Sequence, residues 1–389
     1  MKFLYVAAAK SISDLALALI EMGHTVALVN GIEPDPINPD EAHMPVIADA
    51  IEREKPDYVI SYLFIPMVSE VTHSYGIPYI SWTYDSPLTS LFCRELEYDN
   101  NYVFVFDKQE CLRLKSRYNA NVYYLPMAAN PSRIGAIDLK DEEISRFSSD
   151  ISFIGTLYQQ NAYNSCIGYL DELTQLELKH YLIEHLRSWN EPKSWPSLSE
   201  HAVNNILNTF AETKWTSFDM NIPEFFGILF LSQKLAEIDR VTLLNALAEK
   251  HSVDLYTGDT QNPSLINVNC HGRVDYNTEM SKIFYCSKVN LNITLPSIES
   301  GIPQRVYDIM ACGGFCLSNY QPEMDELFTI GKDIEAFRSV EELLDKTDYY
   351  LKHEDERLRI AINGYKLIKE KHTIQHRVNE MLQIVSLTK

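Results

Sequence analysis

The chain has 389 residues, 46% of them apolar and 23% charged, with a formal net charge of −20. That length exceeds what one hydrophobic core organises, so two domains are expected. The acidic balance excludes a sequence-independent nucleic-acid binder, which needs a basic footprint, and no apolar run approaches the roughly 20 residues of a membrane span. The first residues, MKFLYVAAAKSISDLALALIEMG, have the outline of a signal peptide. Asp14 and Glu21 inside the apolar stretch instead favour a short strand followed by an amphipathic helix. The seven cysteines (Cys93, Cys111, Cys166, Cys270, Cys286, Cys312 and Cys316) include no Cys-x-x-Cys pair, so reduced thiols in a cytoplasmic protein are expected.

Residues 2–8 read as a buried strand and Ser13 to Met22 as a helix, capped by Ser11 or Ser13 and ended by Gly23. A strand over Thr25 to Val29, a Pro-rich loop (Glu33 to Pro39) and a helix ending near Lys55 follow. Apolar runs at Tyr58–Tyr62, Tyr79–Trp82, Tyr102–Phe106 and Val122–Leu125 complete six strands separated by helical patterns, which predicts a doubly wound parallel sheet over residues 1–135. Residues 132–149 turn polar and charged, as a linker does. Asp150 to Gly155 then restart a strand, followed by apolar runs at Val253–Tyr256, Ile266–Asn269, Val289–Leu295 and Phe315–Leu317. This predicts a second α/β domain over 145–372, with a helical insertion at about 161–250 that holds Trp189, Trp195 and Trp215. From Val340 onward the pattern is helical, with Gly364 a weak point and a break at His372-Thr373 before a last helix, about 373–389, that packs back on the first domain.

Ligands in open parallel sheets bind at the carboxyl ends of the strands, so the loops there are the candidates. Ser297 to Phe315 (SIESGIPQRVYDIMACGGF) gives a Ser/Glu/Gly/Pro loop and then a helix carrying Arg305 and Asp308, closed by Gly313-Gly314. A helix N-terminus attracts anions, and a guanidinium binds phosphate oxygens in a fork. Arg305 is therefore read as a diphosphate ligand and Asp308 as a sugar-hydroxyl ligand; the alternative is a solvated ion pair between them at i,i+3 spacing. Gly155 permits close backbone approach to phosphate, with Thr156 adding a hydroxyl, or it is simply a tight turn. Tyr276, after His271-Gly272-Arg273-Val274, either stacks on a base or sits in a surface turn. Asp85 in W-T-Y-D-S-P is either a general base toward an attacking hydroxyl or a turn residue before Ser86-Pro87. Asp107 reads as structural or acceptor-binding, His73 as a helix-surface residue, and His372 and His376 as parts of a hinge. The acid runs at 141–143 and 354–356 read as solvated faces, so no metal site is expected. Ala7 to Ser11 (AAAKS) lacks the G-x-G-x-x-G of a dinucleotide turn, which counts against an NAD-dependent oxidoreductase.

The run S-G-I-P-Q-R-V-Y-D-I-M-A-C-G-G-F, with N-Y-Q-P-E, E-L-F and the later H-T-I-Q-H-R, resembles the C-terminal signature of CgeB-like (spore maturation type) glycosyltransferases. W-T-Y-D-S-P, V-F-D-K and Y-L-P-M-A-A-N resemble the acceptor-side domain usually found with it. The resemblance implies a GT-B fold of two facing Rossmann-like domains and transfer of a sugar from a nucleotide-diphosphate sugar, a UDP-sugar favoured, to a hydroxyl of a protein, glycan or other acceptor. It implies no cofactor and no metal. In the broader clan a Glu-x7-Glu pattern crosses this loop and helix. Asp308 falls at its second position, which holds the ribose, and Ser300 at its first, with Glu299 beside it near the donor sugar. The expected donor site is thus Gly155, Thr156, Tyr276, Ser300, Gly301, Arg305 and Asp308, with Asp85 and Glu299 as catalytic candidates. The departure at Ser300 leaves open a non-catalytic sugar- or nucleotide-binding protein of the same fold.

Overall fold

The computed structural model describes residues 1–7, 13–32, 41–187, 198–209 and 226–388. The stretch from Ala8 to Ser11, the Pro-rich loop and Trp189, Trp195 and Trp215 lie outside the described residues. Over those described, the chain divides into two compact units, Met1–Met127 with Thr373–Lys389, and Ala128–Ala211 with Asn221–His372.

The first unit is built on strands β1 (Lys2–Ala7), β2 (Thr25–Asn30), β3 (Tyr58–Tyr62), β4 (Tyr79–Trp82), β5 (Asn101–Val105) and β6 (Val122–Tyr124). They form one sheet in the order β2-β1-β3-β4-β5-β6, and every pairing is parallel. The central strands are apolar on both faces because helices cover both; Leu4, Val6, Val59, Tyr79 and Val103 are all buried. Ser13 caps the helix Asp14–Glu21 by accepting from the Ala16 N–H. Against that helix packs the last one, Ile374–Thr388. Its Arg377 is buried and donates to the carbonyls of Pro126 (2.9 Å) and Met127 (3.4 Å), fastening the helix just beyond β6.

The second unit holds β7 (Ser149–Ile154), β8 (Val253–Tyr256), β9 (Asn269–His271), β10 (Ser287–Asn292), β11 (Cys316–Asn319) and β12 (Glu335–Phe337). This sheet too is wholly parallel, in the order β12-β11-β10-β7-β8-β9. Three details depart from the pattern read in the sequence. The third strand starts at Asn269 rather than Ile266, because Asn267 takes a left-handed conformation and Ile266 is exposed. Strand β12 has only three residues and no alternation to announce it. The region 161–250 is not one insertion: Ser232–Ala248 is the crossover helix between β7 and β8, burying Leu243, Leu244 and Leu247 against Ile151, Phe153 and Val253. The extra helices among the described residues are Ala162–Cys166, Glu172–Arg187 and Glu200–Thr209.

Gly364 is not a weak point either. The helix Glu354–Lys371 runs through it unbroken, and a Cβ there would meet the Asp333 carbonyl at 2.5 Å and the Met310 methyl at 3.1 Å. The glycine lets this helix lie against the one that begins at Gln304.

Candidate nucleotide-binding site

The stretch from β10 to β11 is a loop and one helix held by buried polar side chains. At the carboxyl ends of the two strands, Asn292 Nδ2 donates to Thr294 Oγ1 (3.1 Å) and Ser318 Oγ (2.9 Å), and Asn319 Oδ1 accepts from the Thr294 N–H (2.7 Å). Ser300 is buried, and its hydroxyl donates to Glu323 Oε1 at 2.8 Å while its carbonyl accepts from the Glu323 N–H at 3.2 Å. The position where the broader pattern has an acid thus carries a hydroxyl bonded to an acid from the next loop. Glu299 beside it is half-buried.

The helix Gln304–Ala311 follows Pro303, which offers no side-chain acceptor, so its first turn has no side-chain cap. Val306, Tyr307, Ile309, Met310 and Ala311 are buried and fix it to the sheet. It ends where Gly313 takes φ +74° and Gly314 passes so close to Asn290 and two backbone carbonyls that no larger residue fits.

Arg305 and Asp308 do not form the i,i+3 pair. Asp308, 2% exposed, accepts from Gln304 Nε2 at 2.8 Å, and the Tyr276 hydroxyl approaches the same oxygen at 3.5 Å. Gln304 also donates to the Ala128 carbonyl at 2.8 Å. The half-buried Arg305 lies over the Phe284 ring, 5.5 Å from its centroid, and contacts Met280 Sδ. No carboxylate among the described residues pairs with it. A guanidinium left on apolar surface while the neighbouring carboxylate bonds elsewhere is poised for an external anion.

Gly155 follows β7, its N–H donating to the Tyr256 carbonyl at 3.1 Å. Thr156 is exposed, its hydroxyl within 3.3 Å of Asp259 Oδ2, which also accepts from the Leu157 N–H. Tyr276 is 41% exposed, and the Arg133 guanidinium stands 4.9 Å from its ring centroid. Its hydroxyl thus neighbours Asp308 while the ring carries the Arg133 guanidinium.

Reading the sequence missed Arg240, Gln304, Glu323 and Arg133. Arg240 sits in the middle of an amphipathic helix, where an arginine ordinarily points to water. Gln304 and Glu323 lie inside quoted motifs, but only the fold shows which atoms they bond. Nothing in the sequence places Arg133 on Tyr276.

In the first unit, Asp85 follows β4 beside an aromatic group in which Tyr62 lies 5.7 Å from both Trp82 and Tyr84. The Asp85 side chain keeps an exposed face, yet surrounding protein strips enough of its hydration to raise its pKa above the usual carboxylate value. Asp107 is buried and caps the helix Lys108–Arg117, accepting from the Gln109 N–H at 2.9 Å, and Ser86 Oγ lies 3.3 Å from its other oxygen. His73 is part-exposed, stacked on Tyr98 at 4.1 Å. In the second unit, the His372 ring is buried against Tyr307 and Phe328. His376 Nδ1 lies 2.6 Å from Thr373 Oγ1 in the first unit. Among the described residues, no group of three or more His, Cys, Asp or Glu converges to hold a metal ion, and no helix is long and apolar enough to cross a membrane.

A protein family described as glycosyl transferase-like matches residues 240–383, which take in Arg240, Tyr276 and the whole Arg305–Asp308 helix. Similar solved structures include a glycosyltransferase from Rickettsia africae, 12% identical with a TM-score of 0.59, the match covering 100% of this chain and 98% of that one. Anabaena HepE, solved with UDP and glucose, is 10% identical with a TM-score of 0.57 over 99% of each chain. T4 phage BGT, solved with its UDP-glucose substrate, is 11% identical with a TM-score of 0.51, over 100% of this chain and 99% of that one. The fold is GT-B. No curated protein matches the sequence. The Gln304–Ala311 helix stands at the carboxyl edge of the second sheet, the edge at which open parallel sheets bind ligands.

Proposed function

We propose that this protein is a glycosyltransferase of the CgeB-like type that moves a sugar from a nucleoside-diphosphate sugar, a UDP-sugar favoured, to a hydroxyl of a protein, glycan or other acceptor. The observation that carries the reading is Arg305. It has no carboxylate partner among the described residues, and it stands at a helix start without a side-chain cap, one turn from the buried Asp308. Arg305 is assigned the diphosphate, Asp308 the ribose hydroxyls and Tyr276 the base. Gly155, Thr156, Ser300 and Gly301 are assigned to the loops around the phosphates, and Glu299 meets the donor sugar. Neighbours solved with UDP or UDP-glucose support the choice of base.

In the transfer, the bond between the anomeric carbon and the diphosphate oxygen breaks, and its electron pair stays on the diphosphate. The acceptor oxygen bonds the anomeric carbon and gives its proton to Asp85, whose raised pKa suits a general base. Arg305 and the helix N-terminus offset the charge that develops on the leaving group, so the reaction needs no metal.

One observation favours a second reading, a sugar- or nucleotide-binding protein without turnover: the buried Ser300 hydroxyl occupies the position of an acid. The two are separated by following UDP release from UDP-sugars with and without acceptor hydroxyls. Time-dependent UDP release that Asp85→Asn abolishes supports transfer; nucleotide binding with no turnover supports the second reading.

A further inference from the structure

The carboxyl end of strand β4, in the first unit, gathers aromatic side chains around one carboxylate. Tyr62 ends β3, Trp82 ends β4, and the two are register partners in the sheet. Leu63 then takes a left-handed φ of 64°, and its N–H donates to the Trp82 carbonyl at 3.2 Å. Leucine adopts that conformation at a cost, so the turn that sets Tyr62 in place is imposed by its surroundings. The Tyr62 ring lies tilted to the buried Trp82 and edge-on to Tyr84, its centroid 5.7 Å from each. Tyr84 still exposes 44% of its surface, and Asp85 follows it directly. Among the described residues, the Asp85 carboxylate accepts no hydrogen bond and pairs with no cation.

A single exposed aromatic is ordinary. An exposed ring beside an unpaired carboxylate, at the edge where open parallel sheets bind ligands, is a matched pair of contacts. A pyranose has an apolar C–H face and a rim of hydroxyls. The C–H face suits the electron-rich face of a tyrosine, and a carboxylate takes hydroxyl hydrogen bonds as short, strong contacts. An extended peptide is held through a free strand edge, but β4 is paired by β3 and by β5 and offers none. Asp85 and the net charge of −20 disfavour an acidic acceptor. We propose that Tyr84 and Asp85 form the acceptor site, and that the acceptor is a neutral carbohydrate whose ring stacks on Tyr84 and whose hydroxyl meets Asp85. The inference rests on the proposed transfer and narrows its acceptor from any hydroxyl to that of a sugar. Tyr62 and Trp82 brace the Tyr84 ring, so Tyr84 selects the acceptor while Asp85 takes its proton.

The test uses the full chain, with UDP-glucose, UDP-galactose and UDP-N-acetylglucosamine as donors and two sets of acceptors. One set is the methyl glycosides of glucose, galactose and N-acetylglucosamine with cellobiose and lactose; the other is unstructured peptides rich in Ser and Thr. Wild type is expected to release UDP faster with at least one saccharide, and with the peptides no faster than without acceptor. Tyr84→Ala is expected to raise the saccharide KM about tenfold, equivalent to about 1.4 kcal/mol, with UDP affinity unchanged by calorimetric titration. Tyr84→Phe keeps the ring and is expected to restore the wild-type KM. Should the Ala variant not fold, Tyr84→Leu, which keeps bulk without the flat face, decides by the same comparison. A saccharide KM equal to wild type in Tyr84→Ala, or raised as much in Tyr84→Phe, overturns the proposal. Acceleration by the peptides alone overturns it too, while leaving the transfer reading standing. If saturation-transfer NMR shows a saccharide bound and Tyr84→Ala weakens it, yet no donor releases UDP, the sugar platform stands and the transfer reading falls. With neither binding nor release, both fall.

Discussion

At the scale of single residues, the site is defined by which charges are paired and which are not. Asp308 is buried and bonded to Gln304, whereas Arg305 one turn away rests on Phe284 and Met280. Arg305→Ala is expected to abolish stabilisation by nucleotide while lowering the melting temperature of the free protein only slightly, since its stem is half-buried and loses modest packing. Thermal unfolding with and without UDP checks this. Glu299→Gln is expected to keep nucleotide affinity and reduce turnover, which a KM-against-kcat comparison reads directly. Asp85→Asn is expected to bind nucleotide as wild type does and to lose transfer. Because Asp85 has its pKa raised by desolvation, kcat is expected to rise with pH as this carboxyl ionises, through a pH above the ordinary aspartate value. The sign for stability is the reverse. A carboxylate whose folded pKa is raised keeps its proton longer in the folded state, so its contribution falls as pH rises from the ordinary value through the raised one. A pH–rate profile that is flat in wild type across that range contradicts the assignment of Asp85 as base.

At the scale of elements, the helix that carries Arg305 is held by what lies beneath and behind it. A Cβ at Gly314 would stand 2.8 Å from Asn290 Nδ2, 2.9 Å from the Phe284 carbonyl and 3.1 Å from the Ile309 carbonyl. Two of these atoms are backbone, so the crowding is not relieved by a rotamer change. Gly314→Ala is expected to cost about 1–3 kcal/mol, the usual penalty of overpacking, measured by denaturant unfolding, and to weaken nucleotide binding in parallel. This element was legible in the sequence as strand, loop, helix and glycine stop, because apolar runs, proline and paired glycines are strong local signals. Its bonding was not. The Ser300–Glu323 bond and the bonds from Arg240 to the Thr156 and Ile293 carbonyls join residues brought together only by packing, while the Gln304–Asp308 bond is an i,i+4 contact within one helix. Ser232–Ala248 was merged with the helices before it because consecutive helical patterns carry no mark of which one crosses the sheet. The short β12 was missed because three residues cannot display a period of two.

At the scale of the whole molecule, two wholly parallel six-stranded sheets on separate compact units give the GT-B fold. This much followed from eleven apolar runs alternating with helical patterns, since a parallel sheet covered on both faces demands continuous apolar strands. The partition of roles is not written in the pattern. The family match begins at Arg240, part-way along the crossover helix, and takes in the Arg305 helix. The account assigns charge neutralisation to side chains and a helix N-terminus, so transfer is expected to persist in excess chelator; loss restored by added Mg²⁺ or Mn²⁺ contradicts that assignment. The central claim, that the second unit holds a nucleoside-diphosphate sugar through Arg305, is tested most directly by thermal unfolding of wild type and Arg305→Ala against UDP-, GDP-, dTDP- and CDP-sugars. The account predicts that a UDP-sugar raises the wild-type melting temperature by several degrees at about 100 times its Kd, and that Arg305→Ala shows no such rise. No shift with any of these donors, or the same shift in both proteins, contradicts it.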